Sequence, residues 1–505
     1  MTRKNGGLLV SDPTKPNVSI PLAASFNTRG LTGYTTSLVD RIDQIKTNSI
    51  YEPITNSMTG QNTLYLAKRP GVDIGASSIG DSTQAAFLVV RAPGATSIDL
   101  TNTWVFNVDG SNIRASNTAG DNNITVVTAA GFEPTYADYT NISGTEYIVL
   151  QVRGSTFTQE VWYASAIGSW TQITDADFTG LTLCGKMEFL DGYAFILTSA
   201  NRIHNSDINS LSAWPASSYI TKQITQDIPN GLARLGSQII AFGEDTMEVF
   251  VNAGNATGSP LQTVKSLHHK VGLFSPNAVD STHYYSQLGG KLYFSGREGG
   301  TNANGIFAYD GAGKPQRVSS VAIDKIIREQ PVLSVNTIAP RQGRAAIAIG
   351  LSATTGAQKM LVYFPDWNEW FEWTSAVWSP VNSGRFHIGV GANLQHKVYT
   401  FTSDWQDDTT DYSMIHQFQL PSDGNHRKVM PMCGILGDTA RSASSLSVEF
   451  SDDDGQTWST ARTIDMTSAE KMITRCGAYK GRRMVRLTHT GNLDCRMEKY
   501  LARIQ

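Results

Sequence analysis

The sequence predicts an all-β fold, a β-propeller of six or seven blades with an extended N-terminal arm and a β-rich C-terminal segment. From about Phe87 to Leu420, short runs rich in Val, Ile, Phe, Tyr or Trp alternate with Gly, Asn or Asp turns. Examples are WVFNVDGSNIR from Trp104, KMEFLDGYAFILTS from Lys186 and FHIGVGANLQHKVYTF from Phe386. These hairpin-rich stretches recur about every 40 to 50 residues, the length of a four-stranded blade. Few stretches hold a helical period for three turns. A lone blade cannot bury both faces, whereas a ring lets each sheet pack on its neighbours and leaves only short edges exposed. Two stacked β-sandwich domains are the alternative architecture.

Residues 1–80 are rich in Pro, Thr, Ser and Asn. They read as an extended arm, Met1 to about Met58, that becomes a first strand at LYLAKRPGV. The arm has no core pattern and is expected to order on neighbouring subunits or other parts. Residues 81–430 form the propeller body. Residues 431–505 form the C-terminal β segment, whose last stretch from Lys471 holds nine Lys or Arg against two acids. That local charge of +7 leaves −10 on the rest of a chain whose net charge is −3.

The 505 residues suffice for several domains or one large repetitive one. Charged residues are 17%, against a usual ~25%, and Ser, Thr, Asn, Gln and Gly take their place. That balance argues against long surface helices and against a disordered polybasic nucleic-acid binder. The N-terminal residues lack the apolar core of a secretory signal, and the longest apolar runs fall far short of a membrane span. Cys184, Cys433, Cys476 and Cys495 show no CxxC spacing, which favours buried free thiols over zinc or a disulfide scaffold.

Signatures of catalysis are missing: no GxSxG, no HExxH, no Walker loop, no GxGxxG between strand and helix. GAGKP at Gly311–Pro315 has Pro where a phosphate loop needs a hydroxyl and a helix start, so it reads as a strand-joining turn. His268 and His269 are adjacent, and adjacent strand residues point to opposite faces. The acidic loop Asp404, Asp407, Asp408 and Asp411 lacks the Gly bend and terminal Glu of a calcium loop. No catalytic, cofactor-binding or metal-ligating residue is assigned, and no cofactor is expected.

One motif is clean. Ser451, Asp453, Gly455, Thr457 and Trp458 match the Asp-box pattern Ser-x-Asp-x-Gly-x-Thr-Trp. Asp453 can accept backbone N–H groups across the turn, Gly455 permits positive φ, and Trp458 covers the hairpin. The motif specifies local structure and says little about activity. Trp367, Trp370 and Trp373 in YFPDWNEWFEW are of a type that stacks on sugars or bases, but two strands joined at Asp366–Asn368 would pack these rings between blades.

In order, the segments resemble the tail nozzle, or packaged-DNA stabilisation, proteins of short-tailed bacteriophages. EFLDGYAFIL from Glu188 is similar to the family's Phe-x-Asp-Gly-Tyr strand, and Ser206-Asp207 followed by Trp214 comes next. AFGEDTMEVFVNAG aligns Gly243, Thr246, Glu248 and Gly254, and Val271-Gly272 opens the next blade. RVSSVAIDKII from Arg317 and the Phe-Pro…Trp-x-x-Trp pair of YFPDWNEWFEW complete the series. The resemblance covers Leu190 to Ser375 well, the Asp-box region moderately and the first 150 residues weakly.

The resemblance implies a non-enzymatic virion protein of the tail, made in the host bacterial cytoplasm. It would form a homohexameric ring below the adaptor beneath the portal, extend the DNA channel, help retain packaged DNA, support its ejection and dock spikes or fibres. Double-stranded DNA would pass without sequence-specific binding. Asp404, Asp407, Asp408 and Asp411 are candidates for lining that channel, since a carboxylate ring repels phosphates where a basic one grips them. The alternative is a propeller glycosidase or polysaccharide-binding spike, suggested by the single Asp-box and the tryptophans.

Overall fold

The computed structural model describes residues 16, 18–22, 45–55, 62–74, 87–93, 103–109, 112–117, 124–128, 132–154, 159–225, 227–274, 284–300, 304–330, 332–341, 344–351, 358–375, 399–420, 426–440 and 442–505. Most of the expected arm and most of the hairpin expected from Phe386 lie outside them. The chain divides into two compact units. One is Gly71–Thr402 with Asp407–Thr410; the other is Met1–Pro70, Ser403–Gln406 and Asp411–Gln505.

The first unit is built of successive antiparallel four-stranded sheets. Sheet I runs through Phe87–Arg91, Thr103–Asp109, Asn112–Asn117 and Ile124–Thr128. Sheet II comprises Glu133–Ile142, Thr145–Arg153, Gln159–Ala164 and Thr171–Gln172. Leu183–Leu190, Tyr193–Thr198, Arg202–Asn205 and Tyr219–Thr221 make sheet III. Pro229–Leu235, Gln238–Gly243, Met247–Asn252 and Leu261–Thr263 make sheet IV. In sheet V the first position is split, because Val271–Leu273 and Tyr285–Leu288 both pair with Lys291–Glu298, which is followed by Asn304–Tyr309 and Gln316–Arg317. Sheet VI comprises Val332–Arg341, Arg344–Leu351, Gln358–Phe364 and Glu369–Ser375. The chain enters and leaves this unit side by side, since Val72–Ile74 pairs with Tyr399–Phe401.

Period-2 alternation explains why these sheets stack as blades. On Tyr193–Thr198, Ala194 and Ile196 pack in the core shared with sheet II, while Phe195 and Leu197 pack in the core shared with sheet IV. Likewise Ile239 and Ala241 face sheet III, and Ile240 and Phe242 face sheets V and VI. Each of these two strands therefore buries both faces, one against each neighbouring sheet. The tight turns match this twist: Asp191-Gly192 (φ 52° and 83°) has the left-handed pair that a two-residue hairpin loop requires. Here Gly192 also passes close to Asn209.

Val321–Glu329 is a helix that the sequence reading did not single out. Ser320 caps it by accepting from the Ile323 amide, and Ile323 and Ile327 pack into the core of sheets IV to VI.

The second unit gathers strands from both ends of the sequence. One sheet has the order Ser49–Thr55, Asn62–Lys68, Arg496–Arg503, Met432–Gly437 and Met472–Thr474, with Val18–Pro21 also on Arg496–Arg503. A second set runs Ile45–Thr47, Met414–Gln419, Met484–His489, Ser445–Ser451 and Arg462–Asp465. Their inner faces meet where Phe418 lies edge-on to Tyr500, 5.1 Å between centroids. The described residues of the N-terminal stretch read as an arm thus pair within their own chain.

Candidate functional site

The first strands of sheets II to VI supply residues to one polar cavity of about 450 Å³. Hydrogen bonds tie these strands directly to one another. The Tyr285 hydroxyl donates to the Leu232 carbonyl, and the Gln287 side chain donates to the Arg234 carbonyl. Ser286 and Thr337 hydroxyls lie 2.7 Å apart.

At the cavity floor Lys186 Nζ sits 3.2 Å from Glu188 Oε1 and lies over the rings of Tyr285 (4.5 Å) and Tyr136 (5.0 Å). The Tyr136 hydroxyl donates to Asp138 at 2.7 Å. Burial pushes the Glu188 carboxyl up, opposed by the Lys186 ammonium beside it. Burial, with Asp138 and Glu188 nearby, holds the Tyr136 and Tyr285 phenols well above their ordinary range. The cluster thus joins sheet III to sheet V through the Tyr285 hydroxyl, 3.4 Å from Glu188, and to sheet II through the Lys186 ammonium over the Tyr136 ring. Sequence reading missed it, because Tyr136, Glu188 and Tyr285 occupy strand positions indistinguishable from core.

The family-like segments turn out to knot blades together. Glu248, fully buried, accepts from the amides of Gln223 (3.2 Å), Ile224 (3.0 Å) and Thr225 (3.2 Å). Asp227 accepts from the Asp245 and Thr246 amides and the Thr246 hydroxyl, and pairs with buried Lys222. A Cβ on Gly272 would lie 2.2 Å from the Glu244 backbone, so only glycine fits there. The Ser206 hydroxyl accepts from the Ala194 amide, and Trp214 packs on Phe178.

In the second unit the Asp-box residues converge on one turn. Asp453 accepts from the Ser451 hydroxyl (2.7 Å), the Thr457 amide (2.9 Å) and the Thr457 hydroxyl. These bonds hold its carboxyl at about 2. The Gly455 amide donates to Ser451 (2.9 Å), and the Trp458 ring donates to the Gly455 carbonyl (3.1 Å). Three of the nine basic residues of the C-terminal stretch pair with acids beside this hairpin. Arg483 pairs with Asp452 and Arg486 with Glu449, each at 2.7 Å, while Arg482 is 3.8 Å from Asp454. Arg486 also covers Trp458 at 4.1 Å.

The four acidic-loop residues are not equivalent. Asp404 and Asp411 are exposed and Asp408 is half-buried, but Asp407 is 1% exposed and bridges to Val72. Trp370 and Trp373 are core residues, and Trp367 packs on Phe364 at the turn. GAGKP forms a turn in which Asp310 accepts from the Ala312 and Gly313 amides. Among the described residues no group of three His, Cys, Asp or Glu is placed to hold a metal, and no helix is long and apolar enough to cross a membrane.

Similar solved structures include Raptor from Chaetomium thermophilum, at 11% identity and a TM-score of 0.39. The match covers 66% of this chain and spans only 30% of the Raptor chain. YCF48 bound to D1 peptide is 15% identical, covering 60% of this chain and 86% of that one (TM-score 0.33). An exo-β-1,3-galactanase from Phanerochaete chrysosporium is 10% identical, covering 86% and 100% (TM-score 0.28). No curated protein matches. The profile of a family described as bacteriophage P22 Gp10, beta-propeller, matches residues 55–387, and those residues hold the stacked sheets and the knots described above. The chain therefore belongs to the bacteriophage P22 Gp10 β-propeller family, structural proteins of the phage that stabilise packaged DNA.

Proposed function

We propose that this chain is the tail nozzle of a short-tailed phage. In this reading it is a virion protein that forms a homohexameric ring below the portal and adaptor, extends the DNA channel, retains the packaged genome and supports its ejection. The family match over residues 55–387 carries the proposal. The chain would be made in the host bacterial cytoplasm, and spikes or fibres would dock on the ring. Charge supports a conduit, because many free Lys and Arg facing the lumen would give DNA a large sequence-independent affinity. Instead Arg482, Arg483 and Arg486 are engaged with Asp454, Asp452 and Glu449. Asp404, Asp408 and Asp411 are proposed to face the channel, and three carboxylates per subunit become eighteen in a sixfold ring that repels phosphate. With its carboxylate enclosed in the chain, Asp407 has no such role.

Native mass spectrometry and electron microscopy of the purified chain, alone and with the adaptor, test this reading. A sixfold ring is expected. A lasting monomer that releases reducing sugar from surface polysaccharide would replace the nozzle with the glycosidase alternative. Arg482, Arg483 and Arg486 lining the lumen would invert the electrostatic assignment.

A further inference from the structure

Two of the four cysteines meet. Cys433 lies on the strand Met432–Gly437, opposite Ile473 of Met472–Thr474, and Cys476 follows that second strand. Arg475 (φ 61°) and Gly477 (φ 82°) flank Cys476 and turn the chain back on itself. The two sulfurs end 3.4 Å apart, both buried, with Cys476 5% exposed and Cys433 fully enclosed. Arg462 Nη1 is 3.8 Å from Cys476 Sγ, and Arg483 donates to the Cys476 carbonyl. Cys184 and Cys495 are elsewhere in the core, each pushed up to about 12 by burial.

We propose that Cys433 and Cys476 form a reversible redox pair that closes to an intramolecular disulfide when the reduced protein meets a peroxide. A disulfide needs its sulfurs about 2.05 Å apart, so closure shortens a contact that the two sulfurs already make. The division of labour follows from the surroundings. Contact with Cys433, with Arg462 and Arg483 nearby, holds the Cys476 thiol below its ordinary range, whereas contact with Cys476 and burial raise Cys433. The Cys476 thiolate attacks one oxygen of hydrogen peroxide, forming a sulfenic acid and expelling hydroxide, which takes up the proton Cys476 lost. Cys433 sulfur then attacks the sulfenic sulfur, its proton leaves with the hydroxyl as water, and the S–S bond forms. In sum, two thiols and one peroxide give one disulfide and two waters.

The linked segment, Cys433 to Cys476, contains the strands Ser445–Ser451 and Arg462–Asp465 and the Asp-box turn between them. Closing it removes freedom from the unfolded chain, so the oxidised form resists unfolding longer than the reduced one. This holds whether or not the chain is a nozzle, since both thiols belong to one unit of one chain.

The test uses the full-length protein, reduced, desalted without oxygen and exposed to about one equivalent of hydrogen peroxide. It is then unfolded, alkylated and analysed by peptide mass spectrometry. The expected result is loss of two of the four thiols, a linked Cys433–Cys476 peptide, reversal by dithiothreitol and a higher unfolding midpoint for the oxidised form. Cys433→Ser should leave a dimedone-trappable sulfenic acid on Cys476. Four alkylated thiols after peroxide, a persistent sulfenic acid on Cys476 in the unsubstituted chain, or linkage through Cys184 or Cys495 would each overturn the proposal. The unsubstituted chain alone decides among these results if the variant fails to fold.

Discussion

Glu188 and Asp453 are carboxylates displaced in opposite directions, and the sign of each displacement fixes a pH response. Burial raises Glu188, so the folded chain favours its proton more than the unfolded chain does. The stability it contributes is complete in acid and is lost as pH climbs through its folded value. The melting temperature of the wild type relative to Glu188→Gln should therefore fall as pH rises above the ordinary glutamate value of about 4. A relative melting temperature that rises would mean that pairing with Lys186 outweighs desolvation. Asp453 is the reverse case. Three hydrogen bonds to its charged form hold it at about 2, so its contribution is present above its ordinary value, near 4, and disappears as pH falls through the folded one. Amide-exchange protection in the 451–458 turn, taken relative to the intrinsic rate at each pH, should fall in acid, and Asp453→Ala should show that lower protection already at neutral pH. Unchanged exchange in the variant would mean that the turn is held by Trp458 and Arg486 alone.

At the scale of the element, the knots between blades matter more than any one strand. Glu248→Ala would remove the acceptor of three backbone N–H groups whose residues are exposed or half-buried, for a loss of roughly 1 to 3 kcal/mol, while Glu248→Gln keeps an acceptor and should lose less. Urea midpoints measured on both variants check this, and a loss below about 1 kcal/mol for alanine would show that water replaces the carboxylate. The strands and turns were legible because alternation and Gly-containing turns are local signals: Lys186–Ser199 reads as a hairpin and is one. Asp453 and its partners were legible for the same reason, all lying within one turn. Val321–Glu329 was not, because nine residues hold barely more than two helical turns of apolar spacing. The cavity was illegible for a different cause. Its chemistry comes from first strands some 50 residues apart, and only the ring brings Tyr136, Glu188 and Tyr285 together.

For the whole molecule, the division into two units predicts two separable behaviours. Removing residues 1–70 deletes Val18–Pro21, Ile45–Thr47, Ser49–Thr55 and Asn62–Lys68, all partners of later strands. The variant should lose the cooperative unfolding of the sandwich-like unit yet keep that of the stacked sheets. Calorimetry with limited proteolysis checks this; a single transition lost entirely would show that the two fold as one. The pairing of Leu66 and Ala67 with Arg496 and Met497 also has a cost in time. At a synthesis rate of about 5 to 20 residues per second, roughly 20 to 90 s pass between the emergence of one strand and that of its partner. The stacked sheets can form locally during that interval, each on the one before. The early strands must meanwhile wait with unpaired edges, which makes the moments before chain release the period of greatest exposure to aggregation and to proteases.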